Sequence, residues 1–280
     1  MVRRVGIIGY GHLGQYLVQQ INSRSDVELA FVWNRTVSAL KESRQIRPEQ
    51  ILEDVSDFEK YRADLVVEVA HPSITQQYGP DILQKADYMI GSPTALADAD
   101  LEAGLRSAAT NHGLYIPSGA FWGGDDIKKM ADRGTLQALK VTMTKHPSSF
   151  KLNGHLNVKN DQVKDTRTVL YDGPVRELCP LAPNNVNTMA AAALAAHNLG
   201  FDKVQGSIVA DPELRDWHIV EVEVWGPGDM AAGSVCLTHS HCDWLQAERL
   251  AHRGGGGVGP GGYGSRVCLT HSLCDWLPAK

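Results

Sequence analysis

The sequence predicts an α/β protein: a doubly wound parallel sheet followed by a smaller α+β domain with an open mixed sheet. Three observations lead there. Apolar runs and amphipathic segments alternate over the first 120 residues, as parallel strands and their crossover helices do. A glycine turn joins the first run to the first amphipathic segment. Beyond residue 138 the runs change to apolar–polar alternation, the signature of half-buried strands.

The opening unit is "VGIIGYGHLGQYLVQQI" (5–21): an apolar strand, a turn and a helix in which Leu13, Leu17, Val18 and Ile21 are expected to form the buried stripe. Gly9, Gly11 and Gly14 stand at G-x-G-x-x-G spacing. Gly9 permits the tight turn, Gly11 lets a pyrophosphate approach the backbone, and Gly14 lets the helix pack closely on the strand. The helix N-terminus then favours the phosphate charge. A strand before the motif, a helix after it and a second strand, "VELAFVW" (27–33), supply the context of a Rossmann dinucleotide-binding domain. His12 and Leu13, between the second and third glycines, are counted with those glycines as cofactor contacts.

NAD-selective domains usually end the second strand on an acid that binds the adenosine ribose. Asn34 and Arg35 occupy that place here. Arg35 is able to pair with a 2′-phosphate and stack on adenine, or is simply a solvated loop cation. NADP is therefore expected to be accepted, with NAD as an alternative.

Further units follow in order. "ADLVVEVA" (63–70) reads as a strand, 74–85 as a helix, "DYMIGSP" (87–93) as a strand, 98–110 as a helix and "GLYIPSGA" (113–120) as a strand. Ligands of such sheets lie beyond the carboxyl ends of the strands. Ala70, Ser92 and Ala120 are the expected contacts there, whereas His71, beside a proline, reads as a surface loop residue.

The second domain opens with a helix in "GGDDIKKMADRGTL" (123–136) that ends at Gly134. "LKVTMTKHP" (139–147) alternates as a strand, and "TRTVLYDGPVREL" (166–178) reads as a strand followed by a turn. "PNNVNTMAAAALAAHNLGF" (183–201) reads as a helix with Asn184 as N-cap and Gly200 as stop. Asn185 and Asn187 in its first turn exceed what capping needs and suggest a ligand-facing end. After "KVQGSIVADP" (203–212), residues Trp217–Trp225 alternate. His218, Val220, Val222 and Val224 share one face, and Glu221 and Glu223 take the other. Periodicity alone favours a core histidine with a satisfied hydrogen bond. A dinucleotide domain upstream and an asparagine-rich helix start favour a functional imidazole.

Composition limits the alternatives. A net charge of −5 gives no pull toward nucleic acid or an anionic membrane surface. No apolar run reaches the roughly 20 residues of a membrane span. Of the five cysteines only Cys179 precedes residue 235, as expected of a reduced, cytoplasmic setting.

Taken in order, "VGIIGYGHLG", "VVEVAHP", "GSPTALAD", "IPSGAFWGGDDI", "TMTKHP", "LYDGPVRELCPLAPNNVNTMAAAALA", "GFDKV" and "ADPELRDWHIVEVEV" resemble the L-aspartate dehydrogenase family, in particular its animal members. The resemblance covers about residues 3–225. It implies a Rossmann domain (1–122), a catalytic and dimerisation domain (123–225), and NAD- or NADP-dependent oxidation of L-aspartate to iminoaspartate, reversible with ammonia. It also implies a homodimer. Carried over residue by residue, the nicotinamide-side contacts fall on Ala120 and Asn187 and the catalytic histidine on His218. Asn185 and Lys145 stand in matching segments as candidates for holding the substrate carboxylates.

Two alternatives remain open from the sequence. One is a related oxidoreductase of the homoserine dehydrogenase or dihydrodipicolinate reductase type. The other is a dinucleotide-binding pseudoenzyme disabled by its tail, since residues 226–280 depart from the family pattern. There "VCLTHSHCDWL" (235–245) recurs as "VCLTHSLCDWL" (267–277), with "RGGGGVGPGGYG" (253–264) between the copies. Each copy carries Cys-x-x-His-x-x-Cys, a possible zinc-ligand spacing. A glycine tract supplies no surrounding fold, so the expectation is a poorly ordered tail without a metal.

Overall fold

The apolar runs become parallel strands because burial on both faces suits uninterrupted aliphatic side chains. β1 (Arg3–Ile8) leads through α1 (His12–Asn22) to β2 (Val27–Trp33), α2 (Ser38–Lys41) and the short β3 (Ile51–Leu52). β4 (Leu65–Glu68), α3 (Pro72–Leu83), β5 (Asp87–Ile90), α4 (Ala99–Ala108) and β6 (Leu114–Tyr115) follow. The six strands pair in the order β3-β2-β1-β4-β5-β6, all parallel. β4 is buried at every position, and Ile7, Phe31, Val66 and Tyr88 are fully enclosed. The computed structural model describes residues 2–119, 121, 123–215, 217–227 and 235–240, with the backbone alone at Trp217 and 235–240.

Sequence reading and structure differ at several boundaries. Leu13 is 36% exposed and stands outside the buried stripe, which runs through Gly14, Val18 and Ile21 with Leu17 at its margin. Leu13 lies about 100° round the helix from Gly14, and only the glycine permits the close approach. α3 begins at Pro72, two residues before the expected start. Proline suits the first helical position, and the His71 ring nitrogen Nδ1 caps the Ser73 N–H. β6 stops after Tyr115, short of the expected 113–120, because Pro117 cannot donate to a ladder.

The second unit begins with α5 (Gly124–Asp132), closed by Gly134 in the left-handed region. The Gly134 N–H donates to Ala131 and the Thr135 N–H to Met130, the double bond of a Schellman stop. β7 (Ala138–Lys145), α6 (Gly154–Asp161), β8 (Thr168–Pro174) and α7 (Val175–Leu178) come next. α8 (Asn187–Ala195), α9 (Gly200–Lys203), β9 (Gln205–Ala210), β10 (Trp217–Trp225) and β11 (Val235–Ser240) complete the chain order. The second sheet is mixed, in the order β11-β10-β7-β9-β8; only β7 and β9 run parallel.

The expected helix over 183–201 is three pieces. Val186, not Asn184, is the first intrahelical acceptor, taking the Ala190 N–H. α8 ends at Ala195, and the Gly200 N–H closes a turn onto Ala196 before α9. Alanine favours helix throughout, yet the Ala182–Asn185 turn and left-handed Gly200 delimit it. The chain divides into two units, and residues Ala182–Ala191 belong with Met1–Ala120 rather than with the second sheet. β11 extends that second sheet into the segment read from sequence as tail. The second sequence copy and both complete Cys/His motifs lie outside the described residues. Among those described, no helix is long and apolar enough to cross a membrane.

Candidate active site

The glycine turn is built as its spacing requires. Gly9 has φ +114°, and a Cβ there would stand 2.7 Å from the Val69 carbonyl oxygen. A Cβ on Gly14 would stand 2.0 Å from the carbonyl oxygen of Gly9. Around Gly11, by contrast, a Cβ would meet nothing within 4 Å: the turn is tight below and open above. Gly11, His12 and Leu13 are all exposed.

Asn34, after β2, holds the turn rather than projecting from it. Its Oδ1 accepts the Tyr10 N–H at 3.3 Å and its Nδ2 donates to Thr36 at 3.1 Å. Arg35 beside it is exposed. Ala70, also exposed, lies two residues past β4, and buried Ser92 two residues past β5. Both are tied to Glu68, a residue the sequence reading passed over. Its carboxylate is 0% exposed and accepts the N–H groups of Ala70, His71 and Ser92 and the Ser92 hydroxyl. Burial pushes the Glu68 carboxyl above its ordinary range, against the pull of those four donors. The available signal was an acid inside "LVVEV", since a charge in a central strand is buried only with partners.

The asparagine turn belongs to the same unit. Thr94 Oγ1 donates to the Pro183 carbonyl at 3.1 Å, tying the loop after β5 to the turn that precedes Asn187. Asn185 is buried. The Oδ1 atom of Asn187 is buried and has no hydrogen-bond partner among the described residues, which leaves an acceptor for a ligand donor. The structure thus gathers Gly9, Gly11, Gly14, Asn34, Ala70, Ser92, Asn185 and Asn187 into one unit. Ala120 lies outside the described residues.

The second unit carries Lys145 and His218. β7 and β10 pair antiparallel with Thr144 opposite Ile219 and Met143 opposite Val220. The pairing closes there, and Lys145 and His218 are the next residue on each strand, each in alternation with the same face as Met143 and Val220. That face is apolar behind them, with Val141, Met143, Val220 and Val222 all buried. The Lys145 ammonium stands 5.9 Å from the centre of the Phe150 ring, and His218 is half-buried. An apolar row therefore ends in a cation and an imidazole. Cys179 is buried, which pushes its thiol up to about 12 and removes it as a nucleophile.

Known proteins show the same two parts. Residues 126–240 match the family model of the aspartate dehydrogenase C-terminal domain, and residues 9–117 that of the homoserine dehydrogenase NAD-binding domain. Over 237 residues the chain is 58% identical to an aspartate dehydrogenase domain-containing protein of Xenopus tropicalis, covering 83% of each. The chain belongs to the aspartate dehydrogenase family. It is also 34% identical over 231 residues to an L-aspartate dehydrogenase of Methanococcoides burtonii, covering 79% of this chain and 83% of that one. The crystal structure of aspartate dehydrogenase from Thermotoga maritima is similar at a TM-score of 0.62 and 25% identity. That similarity covers 89% of this chain and 97% of that one.

Membership in the aspartate dehydrogenase family implies an oxidoreductase fold, a nicotinamide cofactor and a small-molecule substrate. The C-terminal match runs to residue 240, beyond Trp225 where the sequence resemblance was expected to end, and β11 is the strand that carries it there.

Proposed function

We propose that the protein catalyses NAD(P)-dependent oxidation of L-aspartate to iminoaspartate, which water converts to oxaloacetate and ammonia. The observation that carries this reading is the end of the second sheet, where the β7–β10 pairing closes at Thr144 and Ile219, with Lys145 and His218 the next residue on each strand beside an apolar face. A substrate with two carboxylates calls for fixed positive charge, and loss of its amine calls for a group that titrates near neutrality.

The glycine turn and the orphan Asn187 Oδ1 fit a dinucleotide. Gly11 leaves room for a pyrophosphate beside the helix N-terminus, and Asn187 offers an acceptor for a carboxamide N–H. Gly9, Gly14, His12, Leu13, Ala70, Ser92 and Ala120 would line the same cofactor. When bound, that cofactor supplies the acceptor for the hydride from the substrate α-carbon.

The remaining work belongs to side chains. Lys145 and Asn185 hold carboxylates, fixing the direction in which the α-carbon faces. His218 takes the proton that leaves the substrate amine as it becomes neutral, and then serves the water that attacks the imine. The protein acts as a soluble cytoplasmic homodimer in this reading.

The experiment is direct. Purified protein mixed with L-aspartate and NAD or NADP at alkaline pH should produce reduced nicotinamide, followed by its absorbance. Turnover of homoserine or D-aspartate but not L-aspartate would overturn the substrate. Dinucleotide binding without any turnover would mark the protein as a binding relative that no longer catalyses. Arg35 gives a second expected result. Arg35→Ala should weaken NADPH binding by roughly tenfold, about the value of one charge-assisted contact. NADH binding should change little, as measured by nicotinamide fluorescence titration.

A further inference from the structure

We infer that Glu68 is a positioning residue for the dinucleotide, its carboxylate bracing the strand-end loops on which the cofactor is held. This rests on the dinucleotide binding proposed above.

Burying a carboxylate fully carries a desolvation cost that calls for compensating partners. Here every partner is a donor. Oε1 accepts the Ala70 N–H at 2.7 Å, the His71 N–H at 2.9 Å and the Ser92 hydroxyl at 3.0 Å, and Oε2 accepts the Ser92 N–H at 3.0 Å. One side chain thereby joins the loop after β4 to the loop after β5.

Its reach extends further on both sides. The Val69–Ala70 peptide is the wall against which Gly9 rests, since a Cβ on Gly9 would stand 2.7 Å from the Val69 oxygen and 2.9 Å from the Ala70 nitrogen. Fixing Ala70 therefore fixes the floor of the glycine turn. On the other side, Ser92 begins the short turn that contains Thr94, whose hydroxyl holds Pro183 ahead of Asn187. The phosphate end and the asparagine end of the first unit thus share one brace. With no exposed atom, Glu68 acts through its partners and not on the cofactor.

An amide cannot replace the carboxylate. With its oxygen on Ala70 and His71, a glutamine would turn its NH2 toward the Ser92 N–H, donor against donor. The test is titration of NADH and NADPH into wild type, Glu68→Gln, Ser92→Ala, Ser92→Thr and the Glu68→Gln/Ser92→Ala double variant, with thermal melting alongside. Glu68→Gln should raise Kd for both dinucleotides by about tenfold or more, the value of a lost bond to a buried charge. Ser92→Ala should raise it less, Ser92→Thr should restore it, and the double variant should bind no worse than Glu68→Gln alone, because the two act through one network.

A folded Glu68→Gln protein whose Kd stays within about twofold of wild type, whatever its melting temperature, overturns the inference and leaves the proposed function standing. Additive losses in the double variant overturn it too, because Ser92 would then act on the cofactor independently. If Glu68→Gln does not fold, the serine pair decides: equal affinities for Ser92→Ala and wild type overturn the inference, and loss rescued by Ser92→Thr supports it. Wild type that binds neither dinucleotide overturns both the inference and the proposed function.

Discussion

Replacing His218 by alanine should lower L-aspartate turnover by about 10²–10⁴-fold, the usual contribution of a positioned acid–base group, while NADH affinity stays at its wild-type value. The position explains the separation. His218 lies near the start of β10 on the face that continues into Val220 and Val222, which are 6% and 2% exposed, just beyond the last pair of β10 with β7, Ile219 with Thr144. A histidine serving only the core would leave a different signature, a lowered melting temperature with near-normal kcat. Steady-state rates and calorimetry on one preparation distinguish the two. Wild-type turnover in a folded His218→Ala protein would return the residue to a structural role.

Two glycines of one turn should both lose dinucleotide affinity on gaining the same methyl group, but only one of them should lose stability. Gly14→Ala places a Cβ 2.0 Å from the Gly9 carbonyl oxygen, a backbone atom with nowhere to retreat. The helix must shift off the strand, at a cost of about 3 kcal/mol, or a fall in Tm of about 10 °C, with dinucleotide binding lost. Gly11→Ala meets nothing within 4 Å and sits at φ −72°, open to any residue. Its Tm should match wild type, while its dinucleotide Kd rises by about tenfold or more because the methyl occupies the path of the pyrophosphate. Equal Tm values for the two variants would contradict the packing described for Gly14, and unchanged affinity in Gly11→Ala would contradict the binding reading.

Those glycines were legible because their constraint is local: three positions, one turn, one helix start. The strand over Trp217–Trp225 was legible for a similar reason, since strict alternation bounded by a turn leaves a single register of faces, and β10 has the expected ends. The asparagine helix starts later than expected and ends at Ala195, ahead of the expected Gly200 stop, because alanine propensity is uniform along it and marks neither end. Leu13 was misassigned because it and Leu17 obey helical spacing as well as Val18 and Ile21 do; only the close approach at Gly14 decides which side is buried. That Lys145 and His218 both follow the last β7–β10 pair could not be read at all, because strand register is a tertiary fact. Glu68 stood in plain sight as an acid in an apolar run, but one of its partners, Ser92, lies across the sheet on the next strand end. β11 was grouped with the tail because residues 226–280 depart from the family pattern and "VCLTHSHCDWL" recurs there, although "VCLTHS" itself has strand-forming composition.

The return of Ala182–Ala191 to the first unit bears on how the chain is made. During vectorial synthesis, the six parallel strands leave the ribosome long before the turn that Thr94 fastens to Pro183. The nascent first unit therefore waits, incomplete, while much of its neighbour is translated, so neither unit is a cassette that a single cut would release. A fragment stopped at Ala120 would carry the glycine turn without the asparagines, and would report on phosphate recognition alone.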